Sequence, residues 1–400
     1  VRIAFSSQPI YSHLVPAVLP LAAEAAEAGH EVVVLTSPAL ADEVRRAGLR
    51  PLELPNALGP AELVERPELA ERYGLDFSMM TDFGRRTLTA SPDFFARMFA
   101  GPPARDFALD AIEALRDWKP DLIVGECSDY GSYYAAEVLG LPNTVLDIAP
   151  LGPFDVPELL DQINTRRTEL GLDEVSDPMH PFRHRRIGII SESFYPPRAR
   201  SDSARYYQPP RAPTGQQLDP AIAELPGDRP MVLATLGSNA GRVHGEDRSL
   251  LDTIVEVLGE LPVTGVVALG RNFSPEDWQG ARPDNVHLTS FVQQHLLLPA
   301  CDAFITHGGF SGTREALGSG VPMVTIPMLA EQPANATRVE ELGAGRRLNV
   351  EDVTHESLRE TVGAVLDDPT YRYRAQRARR EFLTLPGFSE IVSELEGFTV

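Results

Sequence analysis

The chain of 400 residues is long enough for about two domains, each with a core of its own, and 43% hydrophobic with 23% charged residues is an ordinary globular composition. Its formal charge, 36 − 57 = −21, argues against a general attraction to nucleic acid or anionic lipid, so any phosphate must be gripped locally. Cys127 and Cys301 form neither a disulfide framework nor a metal-ligand spacing. The opening "VRIAFSSQPI" lacks the plan of a signal peptide, and no run approaches the roughly 18 apolar residues of a membrane span, so a cytoplasmic protein without a membrane span is expected.

In chain order, "RIAF", "LVPAVLPLAAEAAEAG", "EVVVLTS" and "PALADEVRRAG" alternate strand and helix patterns, with Gly29 suited to close the first helix. "DLIVGE" and "NTVLDIAP" read as further buried strands. Residues 195–230 hold eight prolines and no sustained apolar period, and predict a linker passing over the surface without a core. The plan then repeats in "MVLATLGS", "LLDTIVEVLGEL", "VTGVVALG", "VHLTSF", "DAFITHGG", "TREALGSG" and "PMVTIP", followed by a basic helix "AQRARREFLTL" and an acidic one "SEIVSELEGF". The expected organisation is α/β: an N-terminal doubly wound domain over 1–208, a Pro-rich linker over 209–230 and a second doubly wound domain over 231–375. Helices over 376–400 are expected to cross back to the first domain.

Two such domains in tandem leave a cleft, and ligands in such sheets collect at the carboxyl ends of the strands. In the second domain "AFIT" runs into His307, Gly308 and Gly309, and the next stretch predicts a helix. Its first-turn N–H groups lack partners within the helix and carry the positive end of its dipole, which suits an anion. Gly309 and Gly312 let the backbone approach a phosphate, Ser311 and Thr313 add hydroxyl donors, His307 adds an imidazole N–H, and the Glu315 carboxylate suits ribose hydroxyls. Taken alone, a Gly-rich corner with a capping serine explains the stretch equally well.

The ordered set in "FVQQHLLLPACDAFITHGGFSGTREALGSGVPMVTIPMLAEQ" goes further: an aromatic-x-x-Gln, a His-Gly-Gly, a Glu eight residues after that His, a Gly-Val-Pro and an acid-Gln pair. It resembles the donor box of nucleotide-sugar glycosyltransferases of the GT-B type, two Rossmann-like domains facing each other across a cleft, and particularly bacterial natural-product and macrolide enzymes. The resemblance extends to the opening strand and helix, "KPDLIVGE", "LATLGS" and the C-terminal helices. It implies that Phe291 stacks on the nucleobase while the backbone of Val292 bonds its edge, and that Gln294 and Glu315 hold the ribose. His307, the amides following Gly309 at Phe310 and Ser311, the close backbone at Gly312, and the hydroxyls of Ser311 and Thr313 would hold the diphosphate, with Ser238 from another loop. Glu331 and Gln332 would read sugar hydroxyls. Many members of that family have Trp where this chain has Phe291, Pro where it has Gln293 and Asp where it has Glu331.

In the N-terminal domain His13 stands where the first strand hands over to the first helix, with Pro16 expected where a missing N–H is tolerated. A helix N-terminus disfavours the imidazolium, which suits a base; a histidine that only caps its helix is the other reading. The resemblance implies a general base at His13. The family's partner acid, at the end of the strand beginning Pro-Asp, corresponds to Glu126 on register, with Asp129 as the alternative. The reaction so implied is an inverting, metal-independent transfer of a deoxysugar from a TDP- or UDP-sugar, with no Asp-x-Asp in the chain for a metal clamp.

Residues 77–107 hold six of the 17 Phe and three of the seven Met. Phe77, Met79, Met80, Phe83, Phe94 and Met98 suit either a packed helix pair or, as the resemblance implies, a pocket for a large apolar aglycone. His180 and His184 flank Pro181 in a loop read as structural. The absence of glycine in "SSQPIYSH" argues against a dinucleotide fold, and no G-x-S-x-G supports a serine hydrolase. A non-catalytic sugar-nucleotide-binding or accessory relative and a nucleotide-sugar epimerase remain as alternatives. The expected partners are a sugar-nucleotide donor and a small-molecule acceptor, with no nucleic acid; a homodimer is left open.

Overall fold

The computed structural model describes residues 1–77, 91–152, 154, 156–210, 216–237, 249–270 and 273–397. They fall into two units, one drawn from residues 1–77, 91–210 and 385–397 and the other from 216–384. No helix among the described residues is long and apolar enough to cross a membrane.

The first unit is a parallel sheet of β1 (Arg2–Ser6), β2 (Glu31–Thr36), β3 (Pro51–Glu53), β4 (Leu122–Glu126), β5 (Asn143–Asp147), β6 (Arg185–Gly188) and β7 (Ala204–Tyr206), in the order β3-β2-β1-β4-β5-β6-β7. Ile3 to Phe5, Val33 to Leu35 and Leu122 to Val124 are buried regardless of the face they point to, as a sheet flanked by helices requires. After β1 the chain turns into a helix at Tyr11–His13, widens to a π-helix over Leu14–Val18 and continues as α1 (Leu19–Glu27). Pro16 therefore does not stand in the first turn, as expected from sequence. The helix begins at Tyr11, which leaves Pro16 where its missing N–H and its ring disturb the regular ladder, and the wider turn accommodates it.

Two helices, α2 (Pro92–Ala100) and α3 (Pro102–Trp118), precede β4, and α4 (Tyr130–Leu139) follows it and packs on α3. Gly125 in β4 sets how close α4 lies. A Cβ there would come within 2.3 Å of Ser132 Oγ, so only glycine admits this approach.

The expectation of a coreless linker over 195–230 needs correction. Tyr195 is fully buried with its hydroxyl donating to Asp147 at 2.8 Å, β7 adds a strand to β6, and Tyr207 is buried. The physical reason is Arg186 on β6, 1% exposed, whose guanidinium lies 5.2 Å from the Tyr195 ring and pairs with Asp147 at 2.7 Å. A buried cation must be enclosed, and this Pro-rich segment encloses it.

The second unit repeats the plan with β8 (Met231–Thr235), β9 (Thr264–Ala268), β10 (Val286–Thr289), β11 (Ala303–Thr306), β12 (Met323–Thr325) and β13 (Gly345–Arg347), all parallel, in the order β10-β9-β8-β11-β12-β13. Its longer helices among the described residues are α5 (Ser249–Glu260), α6 (Phe310–Ser319), α7 (Gln332–Glu341), α8 (His355–Asp367) and α9 (Pro369–Leu383). Val232, Val267, Ile305 and Val324 from the sheet pack with Ile254, Leu258, Leu358 and Val362 from α5 and α8. Helix α9 lies on α6. Beyond it α10 (Glu390–Glu396) packs on α1 in the first unit, held by Arg185 to Glu394 at 2.7 Å and by Gln208 hydrogen bonds to the carbonyls of Leu385 and Pro386.

Removing one partner of the buried Arg186–Asp147 pair strands the other charge. Asp147→Ala is expected to destabilise the first unit by about 3–5 kcal/mol in urea denaturation; a loss below about 1 kcal/mol would show that the pair is dispensable.

Candidate functional site

Each sheet reverses its strand order once, between β1 and β4 in the first unit and between β8 and β11 in the second. Loops leaving such strands at their carboxyl ends frame a ligand crevice. His13, Glu126 and Asp129 lie at the first of these places, and His307, Gly309 and the start of the helix after β11 at the second.

At the first reversal the loops after β1 and β4 are stitched together. His13 Nδ1 lies 3.1 Å from Glu126 Oε1; the histidine side chain is 20% exposed and that of the glutamate is wholly buried. The Gln8 amide donates to the same oxygen at 3.3 Å, and the Gln8 side chain donates to the Ser128 carbonyl at 3.2 Å. The Ser128 amide donates to Glu126 Oε2 at 2.7 Å, while the Ser128 hydroxyl is within 2.7 and 2.9 Å of the two carboxylate oxygens and 3.4 Å from His13 Nδ1. Asp129 is turned elsewhere: it accepts from the Ser6 hydroxyl at 2.5 Å and caps α4 by accepting from the Ser132 amide at 3.1 Å.

The two carboxylates respond oppositely to similar burial. Burial pushes Glu126 upward, but the His13 charge and the hydrogen bonds from His13 and Ser128 outweigh it, and its pKa ends below the usual carboxylate range. Asp129 is pushed up to about 6 by burial and by the neighbouring Glu126 charge, against the hydrogen bonds from Ser6 and Ser132. Near neutrality the arrangement offers an ionised carboxylate behind an imidazole.

At the second reversal Gly308 adopts φ +78° after β11, and Gly309 is the N-cap of α6 with no side chain capping the helix. The first intrahelical bond runs from the Thr313 amide to the Gly309 carbonyl at 3.0 Å, so the amides of residues 310–312 have no partner within the helix. The half-buried His307 imidazole crowds two glycines. A Cβ on Gly309 would lie 2.5 Å from His307 Nε2, and one on Gly237, after β8, 2.8 Å from Cε1. Ser311, Gly312 and Glu315 are partly exposed, and Gln294 donates to Glu315 at 2.8 Å. Phe291 is 43% exposed beside the buried Val292.

Phe310 and Thr313 face inward and are almost wholly buried. The Thr313 hydroxyl has no hydrogen-bond partner among the described residues. Gln332 uses its side-chain oxygen to accept the amides of Met328 and Leu329, which shapes the loop before α7, and Glu331 is partly exposed. Ser238 lies outside the described residues.

Residues 24–153 match the model of the N-terminal domain of erythromycin biosynthesis protein CIII-like proteins, and residues 248–398 match the model of their C-terminal domain. The chain belongs to this family of GT-B-fold glycosyltransferases, related to bacterial natural-product and macrolide sugar transferases. It is 29% identical to the 3-alpha-mycarosylerythronolide B desosaminyl transferase of Saccharopolyspora erythraea across 99% of this chain and 97% of that protein. It is also 29% identical to the aclacinomycin-T 2-deoxy-L-fucose transferase of Streptomyces galilaeus, across 100% and 96%. In fold it is similar to the crystal structure of the glycosyltransferase of kitacinnamycin, with a TM-score of 0.75 and 24% identity across 99% of this chain and 98% of that one.

Of the remaining sequence-derived residues of this glycosyltransferase, those that are described make packing contacts or anchor loops. Phe77 and Phe94 meet edge to face at 5.4 Å and pack with Leu58, Leu63, Tyr73 and Leu75, and Met98 is wholly buried in the same cluster. Met79, Met80 and Phe83 lie outside the described residues. His180 hydrogen-bonds the Tyr133 hydroxyl at 2.8 Å and is lowered to about 4 by burial and by Arg183, and His184 accepts from the Asn143 amide at 3.2 Å. Both tie their loop to α4 and β5. Among the described residues no group of three or more His, Cys, Asp or Glu side chains could hold a metal ion.

Sequence reasoning missed Gln8, Ser128 and Asn335, whose side-chain amide donates to the Gly308 carbonyl at 3.0 Å. The polar run "SSQ" directly after a strand was the available signal for Gln8. Nothing local marked Asn335.

The raised Asp129 carboxyl makes stability fall as pH rises. Between about pH 4 and 6 the unfolded chain releases this proton before the native state does. Asp129→Asn keeps a capping oxygen and removes the decline. Urea denaturation at pH 4 and pH 7 should show the parent losing ~2 kcal/mol more than the variant; equal losses would refute the buried neutral carboxyl.

Proposed function

We propose that the protein is an inverting, metal-independent glycosyltransferase that moves a deoxysugar from a TDP- or UDP-sugar to a hydroxyl of a large, rather apolar natural-product aglycone, with His13 as general base. The observation that carries this reading is the 3.1 Å contact of His13 Nδ1 with the buried Glu126. With Nδ1–H donating to the carboxylate, the tautomer places the lone pair on Nε2, which takes the acceptor proton. The imidazolium so formed is stabilised by Glu126, an aid of roughly 10²- to 10⁴-fold in rate. Glu126 is the better partner than Asp129, whose oxygens serve Ser6 and the start of α4.

The acceptor oxygen then attacks the anomeric carbon with inversion, and the nucleoside diphosphate departs. Its charge would be met by the first-turn amides of α6 and by His307, while Gln294 with Glu315 takes the ribose and Phe291 the base. Glu331 and Gln332 would meet the sugar. The 2-deoxy-L-fucose transferase among the relatives supports a deoxysugar. Two buried free thiols, Cys127 and Cys301, suit a reducing cytoplasm.

His13→Ala should still be thermally stabilised by TDP or UDP yet transfer at least about 100-fold more slowly in an aglycone panel. Equal turnover by variant and parent rejects the base. EDTA should leave turnover unchanged; loss restored by magnesium would place the leaving-group charge on a metal instead. Donor incubated alone should remain intact, whereas an epimerised sugar would identify an epimerase of the same fold.

A further inference from the structure

We propose that Ser128 is a positioning residue that lowers the proton affinity of His13 by acting through Glu126. Glu126 has no exposure to water, and three N–H or O–H donors besides the histidine reach it: the Ser128 amide, the Ser128 hydroxyl and the Gln8 amide. Two of the three come from one residue. The Ser128 hydroxyl spans both carboxylate oxygens and is itself 3.4 Å from His13 Nδ1, so it belongs to the ring's immediate electrostatic surroundings. The Gln8 side chain anchors the Ser128 carbonyl, which holds the hydroxyl in place.

A buried carboxylate with few donors would pull strongly on a proton in the imidazole. The ring would then remain protonated near neutrality and fail as a base, or pass its Nδ1 proton to Glu126. Donors on the carboxylate share its charge, so the proton gained at Nε2 stays on the ring and the Nδ1 proton stays between ring and carboxylate. Ser128 contributes to holding Glu126 below the usual carboxylate range.

The other groups around Glu126 do not supply this effect. Cys127 and Tyr130 are raised by burial and stay neutral across the histidine range. Asp147 is neutralised by Arg186. Asp129, at about 6, is the one further group of this set that titrates in the same range, and its ionisation would raise the histidine midpoint rather than lower it. The measurement is therefore made in an Asp129→Asn background as well.

The proposal rests on the reading of His13 as base, but its test needs no substrate. Imidazole ¹H–¹⁵N NMR of the full chain, with the His13 signal assigned by its loss in His13→Asn, gives the titration midpoint. Ser128→Ala should raise the midpoint by about half a pH unit, about threefold in the proton-binding constant. Ser128→Thr, which keeps the hydroxyl, should leave the midpoint at the parent value. Ser128→Cys, a weaker donor of similar size, should give a smaller rise and stands in if the alanine variant does not fold. An unchanged or lowered midpoint in the alanine or cysteine variant, or a threonine variant that shifts as alanine does, would overturn the proposal. Failure of the base reading appears separately, as His13→Ala transferring at the parent rate while the Ser128 shifts persist.

Discussion

The constraint on which everything else depends is the single reversal of strand order in each parallel sheet. Right-handed crossovers oblige the helices on either side of the reversal to cover opposite faces, so the loops at its carboxyl end part and are not roofed over. In the first unit those are the loops after β1 and β4, in the second the loops after β8 and β11. Chemistry-bearing residues distant in the chain become neighbours there without any local sequence signal that they will meet.

The first reversal uses that proximity to control charge in a dry setting. Glu126 and Asp129 are three residues apart and both buried, yet one is pushed below the carboxylate range and the other up to about 6. The difference comes from the charge beside each. Glu126 faces His13, whereas Asp129 faces Glu126 itself, so the second carboxylate meets a repulsion that two serine donors do not cancel. Below about pH 6 the loop thus holds one charge, that of Glu126, and that charge is directed at the imidazole.

The second reversal works with backbone. A helix whose N-cap is Gly309 offers its first amides without a competing side chain, and glycines at 237 and 309 let the His307 ring pack against the chain. The same helix is anchored by Phe310 and Thr313 pointing inward, so the residues presented outward alternate with those that fix it. Asn335 on α7 reinforces this by binding the carbonyl of Gly308, where the backbone turns left-handed.

The sequence by itself determined the alternation of strand and helix, through periodicity, and the family, through an ordered motif around His307 and Glu315 that survives in one dimension; His13 was marked by the family resemblance, which left Glu126 and Asp129 both open as its partner. It misjudged Pro16 and the stretch 195–207: a π turn and an added edge strand depend on where a helix starts and which buried arginine needs covering. Only the tertiary structure decided that Glu126 meets His13 while Asp129 caps α4, that Ser128 and Gln8 surround the carboxylate, and that Gln332 holds its own loop. Hydrogen bonds between residues 113 to 120 apart in the chain leave no pattern in local sequence; they exist because parallel pairing of β1 with β4 brings the loops at two strand ends side by side.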